Sequence, residues 1–124
     1  MDAAPEVGGQ NTGFRPTELT AISLAGCTAI DVVSILQKMR VAIRRFDVAV
    51  ETARRETHPR VFTHIVLTYT LDADQCTPEQ FRRAVSLSAD RYCSVSAMLA
   101  CTATIDRRLI LNGTELEPVP TAQA

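Results

Sequence analysis

The sequence predicts a single α+β domain. Three features carry that prediction: an apolar stripe at helical spacing from Leu19 to Met39, two segments of β-type character around Phe46–Glu51 and Val61–Leu71, and a helix-start signal at Thr77-Pro78-Glu79-Gln80. The 124 residues fit one domain spanning 1–124. Hydrophobic residues make up 46% of the chain and charged residues 22%, a balance that builds a core rather than a disordered coil. With 13 basic and 14 acidic side chains there is no basic field for a phosphate backbone, so nucleic acid is not an expected partner.

Residues 1–14 hold Pro5, Gly8, Gly9, Asn11 and Gly13, a turn-rich composition read as an amino-terminal loop. Pro16 suits the first position of a helix, and Glu18 places a carboxylate in the first turn, where the helix dipole favours it. Leu19, Ile22, Leu24, Cys27, Ile30, Val33, Leu36 and Met39 continue the helix, widened by Ala21, Ala25, Ala29 and Val32. A helix apolar almost all round belongs inside the fold or across a subunit interface.

The basic run Lys38-Met39-Arg40 suits a helix carboxyl terminus. Phe46, Val48 and Val50 then alternate with Asp47, Ala49 and Glu51 as a half-buried strand. A polar turn through His58-Pro59 leads to a longer strand from Val61 to Leu71, and the two strands are expected to form a hairpin. Thr77 as N-cap, Pro78 at the first helical position and Gln80 closing a capping box begin a second helix through Phe81, Ala84, Val85 and Ser88. Around Tyr92-Cys93-Ser94 this helix is expected to break, with Ser94 capping a further turn to Leu99. Thr102 to Ile110 reads as a closing strand, and the tail from Glu117, residues 118–124 above all, as frayed.

Asp31, Lys38 and Arg40 interrupt the longest apolar segment, so a membrane span is not expected, and the amino terminus lacks the basic and apolar regions of a secretory signal. The expected location is the cytoplasm. There the four cysteines, Cys27, Cys76, Cys93 and Cys101, are reactive thiols or core residues rather than structural disulfides. Their spacing offers no CxxC pair and no zinc pattern with His58 or His64, and neither metal nor cofactor is expected.

A cysteine attacks as its thiolate, which needs a cation or a helix amino terminus to lower its pKa. Cys27 lies about three turns inside its helix, beyond the first-turn reach of the dipole, and Arg15 is the cation nearest in sequence. On the residues alone it reads as a small core side chain more readily than as a nucleophile. Cys93 falls at the helix break, where free backbone N–H groups favour a thiolate. Cys76 is expected exposed and Cys101 buried. Asp31, a charge in an apolar helix, is expected to face a polar partner or a crevice. His64 reads as a sheet residue, and His58 as a solvated turn residue.

Two stretches resemble the marker segments of the OsmC/Ohr family of cysteine-based peroxidases: Arg15-Pro-Thr-Glu-Leu with Leu24-Ala-Gly-Cys-Thr-Ala-Ile-Asp-Val-Val-Ser-Ile-Leu-Gln-Lys-Met-Arg40, and Arg91-Tyr-Cys-Ser-Val-Ser-Ala-Met98. The resemblance implies an OsmC-like fold: two central helices packed against sheets in an intertwined homodimer, with a site at each subunit boundary. It makes Cys27 the thiol that attacks an organic hydroperoxide and Cys93 the thiol that resolves its sulfenic acid, with a dithiol reductant closing the cycle. Arg15, Glu18 and Asp31 are the candidate activating or polar residues.

Thr17 stands where the best-known members carry a glutamate, and Ser94 where they carry a proline. The amino-terminal strand segment that supplies their activating arginine is expected to be missing. These departures place the chain nearer the OsmC-like subfamily, and the alternative to a peroxidase is a non-catalytic stress or apolar-ligand-binding protein. A third reading is redox sensing through the same disulfide.

Overall fold

The computed structural model describes residues 1–120. Helix α1 spans Pro16–Lys38. The Glu18 carboxylate accepts the Arg15 backbone N–H at 2.8 Å, which satisfies a donor at the helix start. The far end closes with Arg40 in the left-handed region, φ 62, while Arg40 N–H donates to the Gln37 carbonyl and Val41 N–H to the Leu36 carbonyl. This is the paired closure that a glycine usually makes, and it drops Val41 into the core.

Strand β1 (Ile43–Arg54) and strand β2 (Phe62–Ala73) pair antiparallel, with Phe46 opposite Leu71 and Val50 opposite Leu67. The hairpin is therefore present. Helix α2 (Pro78–Leu87) starts at the expected box: Thr77 Oγ1 accepts Gln80 N–H, and Gln80 Oε1 accepts Thr77 N–H. A π-turn over Ser88–Tyr92 and helix α3 (Ser94–Leu99) follow. Together α2 to α3 form the crossover that lets strand β3 (Thr104–Leu111) lie parallel to β2. A short strand, β4 (Thr114–Glu115), completes the order β1-β2-β3-β4 and was not foreseen in the sequence.

The core lies between one face of this sheet and α1 with α2. Ile65, Leu67, Tyr69, Leu71 and Ala73 on β2 alternate inward, as do Ile105, Arg107, Leu109 and Leu111 on β3. Opposite them α1 buries Ala21, Leu24, Thr28, Val32 and Leu36, a row at helical spacing. Its other face leaves Ile30 73% and Ile22 43% exposed.

Five expectations need correction. Ser94 is the first residue of α3, not its cap; the Cys93 sulfur accepts the Ser96 N–H at 3.4 Å and caps the helix instead. Cys101 is exposed, because it precedes β3 in a turn, and Cys76 is half-buried rather than open. Residues 117–120 are docked rather than frayed: Val119 is buried and bridges Arg107, and Arg82 donates to the Glu117 carbonyl. The rest of that tail lies outside the described residues. Finally, α1 is long and apolar enough to cross a membrane by length and composition, the charges notwithstanding, although in this fold one face of it packs on the sheet.

Candidate redox site

Cys27, Thr28 and Asp31 come from consecutive turns of α1, and Cys93 from the start of α3. Four-residue spacing sets Cys27 and Asp31 above one another on one helix face. The π-turn delivers Cys93 to the same place, so the two sulfurs and an Asp31 carboxylate oxygen all lie within 4.8 Å of one another. Both thiols are free, Cys27 half-buried and Cys93 only 3% exposed. Three donors that near one another would also accommodate a cation. Two thiols beside a carboxylate already engaged by Ser88 suit sulfur redox chemistry better than a closed four-ligand metal site.

The two thiols differ in acidity. Burial resists ionisation of Cys27, but the Val95 backbone N–H and then the Cys93 and Ser94 side chains outweigh it, and the thiol sits below the ordinary cysteine range despite the Asp31 charge. Burial pushes Cys93 up; Ser96, through its hydroxyl and backbone N–H, pulls the other way, and Cys27 raises it further. The more accessible sulfur is thus the readier nucleophile.

Behind the cysteines runs a chain of buried hydroxyls. Thr28 Oγ1 lies 2.9 Å from the Tyr69 hydroxyl and 2.8 Å from Ser88 Oγ, and Ser88 Oγ lies 3.0 Å from Asp31 Oδ2. Each hydroxyl owns one proton, and an ionised carboxylate only accepts. Ser88 therefore donates to Asp31, Thr28 to Ser88, and Tyr69 to Thr28. This direction leaves the Tyr69 oxygen with its lone pairs facing Arg107. Burial raises the Tyr69 pKa, while Thr28 and the Arg107 guanidinium oppose that rise.

Arg107 was missed in the sequence. It is 3% exposed, its Nη2 donates to Ser96 Oγ at 3.1 Å, its Nη1 reaches the Ile105 carbonyl at 3.5 Å, and its Nε has no hydrogen-bond partner. Among the described residues no carboxylate pairs with it. The signal was there to find: Ile105, Arg107, Leu109 and Leu111 share one face by strand alternation, which puts a guanidinium in an apolar row.

Arg15 and Glu18, both expected near Cys27, serve the helix start instead. Arg15 Nη2 donates to Asn11 Oδ1, and Cys27 lies twelve positions further along the helix, about 18 Å at 1.5 Å per residue. Asp31 joins the cysteines. His64 pairs with Asp106 on the exposed sheet face at 2.6 Å, and Cys76 and Cys101 lie outside the cluster. Beside Asp31 an open groove of about 280 Å³ is lined by Ser34, Ile35, Lys38, Leu87 and Tyr92.

Comparison with known proteins places the fold. The family described as OsmC-like protein matches residues 9–107. Protein YhfA of Escherichia coli K12 is 45% identical over 84 residues, which cover 68% of this chain and 63% of YhfA. The chain thus matches less than two thirds of that relative's length. The crystal structure of a hypothetical protein from Aquifex aeolicus VF5 superposes with a TM-score of 0.73 at 29% identity, covering 82% of this chain and 78% of that one. One from Vibrio cholerae O1, described as a putative organic hydroperoxide resistance protein with captopril bound in one of the active sites, shares the fold at a TM-score of 0.63 and 21% identity, covering 94% of this chain and 77% of its own.

Proposed function

The chain belongs to the OsmC-like protein family, and from that premise we propose that it reduces organic hydroperoxides through the Cys27 and Cys93 thiols. The observation that carries this reading is the pair of free sulfurs in one cluster, the more acidic one on the accessible side. The hydroperoxide resistance named for the Vibrio cholerae neighbour points to the same chemistry.

In the proposed cycle the Cys27 thiolate attacks the outer oxygen of the hydroperoxide. An S–O bond forms, the O–O bond breaks, and the alkoxide leaves with a proton as the alcohol. Cys27 is now a sulfenic acid. The Cys93 thiolate attacks its sulfur, the S–S bond forms, and hydroxide leaves to be protonated to water. A dithiol reductant then exchanges with the disulfide, ends oxidised, and returns both thiols. No metal takes part in these steps.

The working unit in this proposal is a homodimer. A Cβ at Gly26 would meet nothing within 4 Å, yet glycine inside a helix costs about 1 kcal/mol relative to alanine. A second copy packed close against the face that carries Gly26, Ile22 and Ile30 accounts for both the small residue and the exposed apolar ones. The open groove beside Asp31 favours a second reading, in which the same fold holds an apolar ligand without turnover.

Stopped-flow mixing of the reduced protein with cumene hydroperoxide tests the first reading. Rapid thiol loss that disappears in Cys27→Ser is expected. Oxidation of the wild type at the rate of a free thiol would contradict it and favour the ligand-binding reading.

A further inference from the structure

We propose that Arg107 is the positioning residue that supplies the internal positive charge for Cys93, acting through Ser96 and the Tyr69 hydroxyl. This rests on the dithiol reading above and deepens it by assigning a cation to its second thiol.

The argument begins with cost. A guanidinium does not lose its proton in a protein, so Arg107 is charged where it lies, and burying a charge without a paired carboxylate is expensive. Hydrophobic side chains of similar volume would fill the same position on β3 at no such cost. The geometry shows where the charge is directed. Nη2 donates to Ser96 Oγ, and Ser96 N–H is the donor to Cys93 Sγ, so the guanidinium and the thiol share one residue at the start of α3. A second route leads from the Tyr69 hydroxyl through Thr28 and Ser88 to the carboxylate of Asp31. Cation and carboxylate thus stand at opposite ends of a line of hydroxyls, with the two sulfurs beside its Asp31 end. The cation's nearer polar route ends on Cys93.

The groups near Cys93 are Cys27 and Asp31 from α1, Tyr69 from β2 and Ser96 from α3, and behind Ser96 and Tyr69 stands Arg107 from β3. Of these only Arg107 is positive. Cys93 must become a thiolate to attack the sulfenic acid of Cys27, and it must leave as a thiolate when the disulfide is reduced. A nearby positive charge favours both steps beyond what the Ser96 N–H at the helix start supplies, and burial works against this thiol.

The test isolates Cys93 as the sole thiol in a Cys27→Ser, Cys76→Ser, Cys101→Ser background and follows thiolate absorbance in the ultraviolet against pH. Arg107→Met is expected to raise the titration midpoint by about one pH unit, and Arg107→Lys to restore most of it. Ser96→Ala, which removes the hydroxyl link but keeps the guanidinium, is expected to give a smaller rise in the same direction. Arg108→Met, which removes an exposed arginine from the same strand, serves as the control and should leave the midpoint in place.

An unchanged midpoint in folded Arg107→Met would overturn the proposal. If that variant does not fold, an unchanged midpoint in Ser96→Ala, or equal rises in Arg107→Lys and Arg108→Met, would overturn it instead. No hydroperoxide enters this experiment, so failure of the peroxidase reading would appear in the stopped-flow trace and leave the titration standing.

Discussion

Thr28 joins the α1 face of the core to the sheet, through one hydroxyl that accepts from Tyr69 and donates to Ser88. Thr28→Val keeps the shape and removes the link, leaving two buried hydroxyls short of a partner. The expected loss is about 1–3 kcal/mol of unfolding free energy by urea denaturation. Asp31 makes a different prediction. Its charge opposes ionisation of Cys27, so Asp31→Asn lowers the Cys27 pKa further. More thiolate is then present near neutral pH, and alkylation of Cys27 by iodoacetamide should be about threefold faster at pH 7. A slower reaction would show that the carboxylate orders the site more than it opposes the charge.

At the scale of the elements, local signals were the most legible. The Thr77-Pro78-Glu79-Gln80 start is the clearest, because every residue in it has a defined bond to make. Thr77→Ala is expected to cost about 1 kcal/mol, read as a lower denaturation midpoint with an unchanged slope. Helix α1 and the hairpin were equally readable from their apolar periods. What periodicity did not give was anything that depends on a partner element. The sulfur cap of α3 needed the π-turn to aim Cys93, and β4 has only two residues, too few for a pattern. The exposed face of α1 carries its own prediction under the homodimer proposal: Ile30→Asp should shift the protein to a monomer in light-scattering measurements while keeping its helical circular dichroism.

Across the whole molecule, the two cysteines were legible as a candidate site from the stretches that carry them, and their closeness in space is what the fold adds. The cation proposed for Cys93 was not. Arg15 is near Cys27 in sequence, but a straight helix carries it away, whereas β3 returns Arg107 to the core some eighty residues after Cys27. Such a return is set by the parallel crossover and leaves no local pattern beyond one arginine in an apolar row.

The buried network also gives the molecule a pH limit. Tyr69 has a folded pKa raised above its unfolded value, so it remains protonated in the fold while the unfolded chain ionises. Its contribution to stability is present below the ordinary tyrosine range and is lost as pH rises through that range toward the folded value. Urea midpoints measured from pH 8 to 11 should therefore fall more steeply in the wild type than in Tyr69→Phe.

The central claim is that one sulfur takes the peroxide oxygen and the other displaces it. Intact mass of the Cys76→Ser, Cys101→Ser protein after one equivalent of cumene hydroperoxide measures this directly. The account predicts a loss of about 2 Da, with peptides joined through Cys27 and Cys93, and in Cys93→Ser a gain of about 16 Da held on Cys27. An unchanged mass, or oxygen added to Cys93 with Cys27 left reduced, would contradict it.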